Sequence, residues 1–82
     1  MAANNTLVDR FVEPDPRRPE DARLRGYGVS VWTLIGYLRV VGNDPQQVAD
    51  DYEIPLEAVH AAIEFYHSNR VLIDARPAMN AA

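Results

Sequence analysis

Hydrophobic and polar positions divide the chain into a loosely alternating first part and a helical second part. Residues 7–12 alternate loosely and predict a short strand. Residues 13–21 contain three prolines, which fix φ and remove backbone donors, so this segment predicts a loop. Residues 22–29 predict a second strand that completes a β-hairpin arm. Because an isolated two-stranded hairpin is only marginally stable, we expect it to lie on the helices or to pair with another copy.

Helical periodicity starts after Ser30, which is placed to cap a first helix over residues 31–41. Gly42 follows that helix, in the position where glycine commonly ends helices. Asp44 is the expected N-cap of a second helix over residues 45–52. The first residue of this second helix is a proline, whose missing N–H costs nothing there.

A third helix over residues 56–68 and a short fourth helix over residues 70–75 complete the pattern. The sequence thus predicts a mainly α fold with a three-helix core, an N-terminal β-hairpin arm and a short C-terminal helix. The expected segments are a tail and hairpin arm at residues 1–29, a helical domain at residues 30–76 and a flexible tail at residues 77–82. One small domain fits in 82 residues and two do not.

The second and third predicted helices have the spacing of a helix-turn-helix. Val48 and Ala49 are the inward positions of the first helix of this pair, and Ile54 fills the turn. Val59 and Ile63 follow at i and i+4 on the next helix. Plain helical packing also produces this pattern, so a DNA-binding and a purely structural interpretation both stay open.

The charge distribution argues against base reading by the third helix. The whole net charge of −4 lies in residues 30–82, whereas residues 1–29 balance five arginines against five acids. The third helix carries Glu57 and Glu64, which repel phosphate, and it lacks the side chains that usually read bases. Its expected exposed residues are Leu56, Glu57, His60, Ala61, Glu64 and His67.

DNA contacts would therefore have to come mostly from arginines of the hairpin and of the helix ends. The candidate DNA-contacting residues are Arg10, Arg23, Arg25, Arg39 and Arg70, with His60 on the third helix. Alternatively, these arginines are ordinary solvated side chains, several of them paired with neighbouring acids such as Glu20 and Asp21.

The first predicted helix is apolar nearly all round. Four of its residues form one stripe at i, i+3, i+4 and i+7, namely Val31, Leu34, Ile35 and Leu38. Either the hairpin and the later helices cover its other face, or that face is a subunit or partner interface, where Trp and Tyr are favoured. The candidate interface residues are Trp32, Ile35, Tyr37, Val40 and Phe65.

Metal, cofactor and enzyme chemistry find little support in the sequence. His60, Glu64 and His67 share one helical face, but a single straight helix cannot bring three such groups round one ion without strain. With no cysteine, no phosphate-binding glycine loop and no nucleophile–base pair, we expect a non-enzymatic protein without cofactor or metal. No apolar run approaches the roughly 20 residues of a membrane helix. We see no signal peptide, so we expect a cytoplasmic protein.

Several short motifs occur in the order typical of one bacterial family. The run from Arg25 to Trp32 resembles the Arg-Gly-x-x-Ile/Val-Pro-Val-Trp opening of the family called domain of unknown function 433. The further matches are Gly42, Asp51-Tyr52, Ala61-Ala62-Ile63-Glu64-Phe65-Tyr66, Asn69 and Ile73-Asp74-Ala75. The resemblance covers about residues 22–76. The chain departs from the family pattern at Ser30, where proline is common, and in its acidic third helix.

The resemblance implies a helix-turn-helix domain with a β-strand arm that serves as the antitoxin of a toxin–antitoxin pair. Such antitoxins form dimers, bind their own operator DNA and hold a PIN-like ribonuclease toxin inactive. We therefore expect a homodimer with a toxin partner and operator DNA as ligand, and no membrane association. The alternative hypothesis is a protein-interaction or dimerisation module that has a helix-turn-helix shape but does not bind DNA.

Overall fold

The computed structural model describes residues 6–80, apart from the side chains of residues 78 and 80. The two ends of the predicted tails, residues 1–5 and 81–82, lie outside this range. The elements in chain order are α1 (Leu7–Phe11), β1 (Val12–Glu13), a 3₁₀ turn (Pro19–Asp21), β2 (Arg23–Leu24), α2 (Val31–Val40), α3 (Pro45–Tyr52), α4 (Leu56–Ser68), α5 (Arg70–Asp74) and α6 (Pro77–Asn80). The fold is mainly α, as the sequence predicts.

The predicted first strand at residues 7–12 is wrong, because most of this segment is the helix α1. Thr6 caps it: the Thr6 hydroxyl accepts a hydrogen bond from the backbone N–H of Asp9 at 3.0 Å. The loose apolar alternation was ambiguous, since Leu7 and Phe11 are also spaced i and i+4, as on a helix. Helix α1 packs against α4.

The hairpin is shorter than predicted and lies in the main core. Strands β1 and β2 are antiparallel, with Val12 opposite Leu24, and these two side chains are only 1% and 2% exposed. The second strand ends at Leu24 because Gly26 and Gly28 adopt positive φ angles of 80° and 71° and turn the chain. The predicted arm is thus a structural part of the domain, and its boundary at residue 29 does not separate two cores.

Helices α2, α3 and α4 form the three-helix core, in which each helix packs against the other two. Asp44 caps α3 as predicted, because its side chain accepts hydrogen bonds from the backbone N–H groups of Gln46 and Gln47 at 3.1 and 3.3 Å. Glu53 turns the chain between α3 and α4 in the left-handed region, with φ 57°. Val48 and Val59 are buried between these helices. The helix-turn-helix fold is therefore confirmed.

The C-terminal part contains two short helices where the sequence predicts one helix and a tail. Helix α5 is the predicted short C-terminal helix. Residues 77–80 form α6, because Pro77 starts a helix as readily as it ends one. Met79 packs against the core.

Candidate nucleic-acid and protein-binding surfaces

The outer side of α4 is a narrow stripe, because α1, α2 and α3 all pack against this helix. Its exposed members are Glu57, His60, Glu64, His67 and Ser68. Ala61, which the sequence places on the exposed side, is completely buried. We call the first four residues of this list the α4 stripe.

The α4 stripe has the wrong chemistry for reading a DNA sequence. His60 is exposed, but Glu57 lies one turn before it and Glu64 one turn after it. The whole helix-turn-helix unit, residues 45–68, contains five carboxylates and neither arginine nor lysine. Phosphate and base edges are contacted mostly by cationic and amide side chains, so this unit offers DNA little beyond its shape.

The α4 stripe also contains the three residues considered as metal ligands because they share one helical face, namely His60, Glu64 and His67. Across the part of the chain that the structure describes, no group of three or more His, Cys, Asp or Glu residues is arranged to hold a metal ion.

The hairpin presents arginines on its outer face. Arg23 and Arg25 flank the buried Leu24, and alternate residues of a strand point to opposite faces, so both arginines point away from the core. The Arg23 guanidinium donates to the carbonyl oxygen of Gly28 at 3.2 Å, and Nε of Arg25 donates to the carbonyl oxygen of Asp9 at 3.3 Å. The Asp9 contact brings Arg25 to α1.

Arg10 follows Asp9 on α1, and its guanidinium carbon lies 5.4 Å from the centre of the Phe11 ring. Among residues 6–80, Arg10, Arg23 and Arg25 have no carboxylate within 4.0 Å. We call these three residues the hairpin arginines. They keep their charge available, because their contacts are to carbonyl oxygens and an aromatic ring.

The 3₁₀ turn pairs a different set of arginines with acids. Arg18 lies 3.5 Å from Glu20 and 3.1 Å from Asp21. Arg76 also pairs with Asp21, and its guanidinium carbon lies 4.5 Å from the centre of the Trp32 ring. The alternative that the arginines are solvated side chains paired with neighbouring acids is thus correct for Arg18. It does not apply to the hairpin arginines.

The other two predicted DNA-contacting arginines lie beside Tyr66, between α2, α4 and α5. Arg39 donates to the Tyr66 hydroxyl at 3.0 Å and to Asp74 at 3.1 Å, and the Tyr66 hydroxyl donates to the same carboxylate at 2.9 Å. The Tyr66 hydrogen bond, Arg39 and Arg70 together hold the pKa of Asp74 below its usual range. Arg39 is therefore already paired with a carboxylate of the same chain, at a site that solvent reaches.

Arg70 is placed differently from Arg39. Its guanidinium carbon lies 5.9 Å from the centre of the Tyr66 ring, and no carboxylate of the described residues lies within 4.0 Å of it. Sequence reasoning missed the Arg39–Tyr66–Asp74 cluster and the contact of Arg76 with Trp32. The partners are far apart along the chain, and only tertiary packing brings them together.

The predicted interface residues are mostly covered by the chain itself. Ile35 is 2% exposed, so it is a core residue and has no surface for a partner. The Tyr37 hydroxyl donates to Asp51, which raises the pKa of Tyr37, and its ring packs edge-on against Tyr52. Trp32 lies against Arg76, and Phe65 is half-buried against the core.

Val40 is the predicted interface residue that is truly exposed, at 77% of its surface. Of the two explanations for the apolar first helix, cover by the chain's own elements accounts for most of its length. The end of α2 around Val40 stays open to a partner.

Within residues 6–80, no helix is long and apolar enough to cross a membrane. The fold and surfaces define a small helix-turn-helix domain with a built-in β-hairpin. The model of the family "Protein of unknown function (DUF433)" matches residues 21–66, more than half of the chain. The protein therefore belongs to this family, which confirms the resemblance drawn from its motifs. Neither the curated proteins nor the solved structures yielded a significant match.

Proposed function

We propose that the protein is a non-enzymatic, antitoxin-like regulator of the cytoplasm, which forms a dimer, binds operator DNA and holds a PIN-like ribonuclease toxin. The observation that carries the DNA part is the set of hairpin arginines. They have no carboxylate partner among residues 6–80, and the hairpin that presents them shares its core with a helix-turn-helix. The toxin part rests on the resemblance to the antitoxin-like family.

In this proposal the DNA contacts are made to phosphate rather than to bases. The hairpin arginines can each approach a phosphate, and a dimer doubles their number. The α4 stripe contributes His60 but also two carboxylates, so base readout by α4 is weak. Affinity that depends on phosphate contacts falls with salt, by a slope of about −0.9 in log K against log salt for each contact.

The test is a titration of labelled DNA from upstream of the protein's own gene, followed by fluorescence anisotropy at several salt concentrations. Arg25→Ala should weaken binding several-fold and reduce the salt slope by about 1, as expected for the loss of one phosphate contact. Arg18→Ala is the matched control, because it removes the same charge from a residue already paired with acids.

Arg18→Ala should leave DNA binding nearly unchanged. Absence of binding even at low salt would contradict the DNA part of the proposal, and so would equal losses for the two variants. A pull-down with the product of the neighbouring gene, followed by a ribonuclease assay of the complex, tests the toxin part separately.

The second candidate function is a protein-interaction module that does not bind DNA. The α4 stripe favours it, because an exposed row of Glu57, His60, Glu64 and His67 suits a basic protein surface better than a phosphate backbone. Partner binding without any DNA shift at low salt would select this function over the first.

A further inference from the structure

A groove of about 330 Å³ lies between α2, α4 and α5, on the side of the molecule where α2 ends. Its less exposed wall is apolar and consists of the buried Ile35 with the half-buried Leu38 and Ile63. Its exposed rim carries three basic side chains, Arg39, His67 and Arg70. The groove thus combines an apolar floor with a cationic edge.

The rim has more positive charge than its neighbourhood balances. Arg39 and Arg70 lie on the same Tyr66 ring, at 5.8 and 5.9 Å from its centre. Asp74 is the carboxylate that the structure places in this cluster, and it is bound by Arg39 and by the Tyr66 hydroxyl. The Arg70 guanidinium of this cluster therefore has no ion-pair partner among residues 6–80.

The surface beside the groove is apolar as well. Val40 follows Arg39 and is 77% exposed, and Val71 follows Arg70 and is 83% exposed. Val71 lines an adjoining depression together with His67 and Arg70, so it extends the apolar surface beyond the rim. A ligand that fits this region needs apolar side chains as well as a negative charge.

We infer that this groove binds an acidic, apolar peptide segment of a protein partner, with an apolar side chain on the Leu38–Ile63 floor and a carboxylate on Arg70. Bidentate pairing with a carboxylate is the geometry that an arginine guanidinium favours. The inference rests on the proposed function only in assuming that a protein partner exists. What it adds is the composition of the partner's binding segment, which is acidic and apolar.

A peptide fits this groove better than a nucleic acid does. A sugar–phosphate backbone would satisfy Arg70 but would leave Leu38 and Ile63 against charged groups. Base readout in a duplex also needs an element that projects into its groove, whereas this site is concave.

The test uses the full chain and a short fluorescent peptide that alternates leucine and glutamate. Binding is followed by anisotropy and mapped by NMR shift changes, which we expect at His67, Arg70 and Val71. Arg70→Ala should weaken binding by about tenfold or more, the usual value of a hydrogen-bonded charge pair. Arg70 is exposed and forms no ion pair in the described structure, so its removal should not disturb the fold, which circular dichroism checks.

Arg25→Ala is the matched control and should leave peptide affinity unchanged while it weakens operator DNA. Peptides in which serine replaces leucine, or glutamine replaces glutamate, should each bind several-fold more weakly. Because peptide and DNA are measured on the same two variants, failure of this inference is distinct from failure of DNA binding.

The inference is overturned if the leucine–glutamate peptide does not bind, or if Arg70→Ala binds it as tightly as the parent protein. It is also overturned if Arg70→Ala dissociates a dimer, which would make a second copy the occupant. Displacement of the peptide by a non-specific DNA duplex would assign the groove to phosphate instead.

Discussion

The hairpin region (residues 6–30) and the helix-turn-helix unit (residues 45–68) share one core but have opposite surfaces. The hairpin region holds five arginines and five acids, and four of those arginines, Arg17 and the three hairpin arginines, have no acid partner in the described structure. The helix-turn-helix unit holds five acids and neither arginine nor lysine. The element whose shape is typical of DNA binding is therefore the less suited of the two to approach phosphate.

This difference separates two properties that are often inferred together. The helix-turn-helix shape depends on buried residues such as Val48, Ala58 and Val59, which say nothing about ligands. Binding chemistry depends on the exposed residues, and here these are acidic on one region and arginine-rich on the other. Function must accordingly be argued from the surface and not from the fold.

The largest effect should come from breaking the shared core on the hairpin side. Leu24→Ala removes a side chain that is 2% exposed, and such a cavity costs about 3 kcal/mol. We expect urea unfolding to shift to lower denaturant as a single transition, monitored both by Trp32 fluorescence and by circular dichroism. Val40→Ala, at an exposed apolar site, should change stability by less than about 0.5 kcal/mol.

Separate transitions for the two probes would contradict a shared core. A loss no larger than that of Val40→Ala would show instead that Leu24 lies outside the shared core, as expected of a projecting arm.

Sequence reasoning predicts the helix-turn-helix unit better than the hairpin region for a physical reason. Helices α3 and α4 have local signals, namely Asp44 with a following proline and apolar residues in helical register. Residues 7–12 are too few to distinguish a period of two from a period of 3.6, so the strand prediction failed. The hairpin arginines could be named as candidates from the sequence, but only the folded structure shows that they lack carboxylate partners among residues 6–80.

The groove residues needed the folded structure. Arg39, Tyr66 and Asp74 come from three different helices, and no local pattern indicates that they meet. The burial of Ile35 and Ala61 depends likewise on helices that pack across them.

The N-caps of α3 and α1 allow the stability of the helix-turn-helix unit and of the hairpin region to be compared. Asp44 accepts two backbone hydrogen bonds at the start of α3, whereas Thr6 accepts one at the start of the five-residue helix α1. We expect Asp44→Ala to cost about 1.5 kcal/mol and Thr6→Ala about 0.5 kcal/mol in urea unfolding. Asp44→Ser keeps a capping oxygen and should recover most of the loss. A larger loss of stability for Thr6→Ala than for Asp44→Ala would mean that the cap of α1 contributes more than the cap of α3, contrary to this expectation.

The turn of the helix-turn-helix unit contains a strained backbone position, Glu53, and two glycine substitutions test this strain. Glu53 has φ 57°, a conformation that costs energy for any residue with a Cβ. Glu53→Gly should stabilise the protein by about 0.5 kcal/mol after the entropy cost of glycine is included. Glu64→Gly removes the same charge inside α4 and should destabilise by about 1 kcal/mol. Thermal unfolding of both variants should therefore shift in opposite directions, and shifts of equal sign would argue against strain at Glu53.

The smallest effects are pH-dependent and involve two tyrosine–carboxylate hydrogen bonds. The Tyr66 hydrogen bond is the largest cause that lowers the pKa of Asp74, so its stabilisation is present above the ordinary carboxyl pKa. It is lost as pH falls through the folded value. Tyr66→Phe should therefore destabilise the protein near pH 7, and the difference from the parent should shrink at about pH 2.

Tyr37→Phe is the matched variant at the other end of the pH scale. The hydrogen bond to Asp51 raises the pKa of the Tyr37 hydroxyl, so its stabilisation is present below the ordinary tyrosine pKa of about 10. It is lost as pH rises through the folded value, and the deficit of Tyr37→Phe should shrink in alkali rather than in acid. The measurement is the urea midpoint of each variant and of the parent protein across the pH range. Identical pH profiles for the two variants would contradict the assignment of the Asp74 and Tyr37 pKa shifts to these two hydrogen bonds.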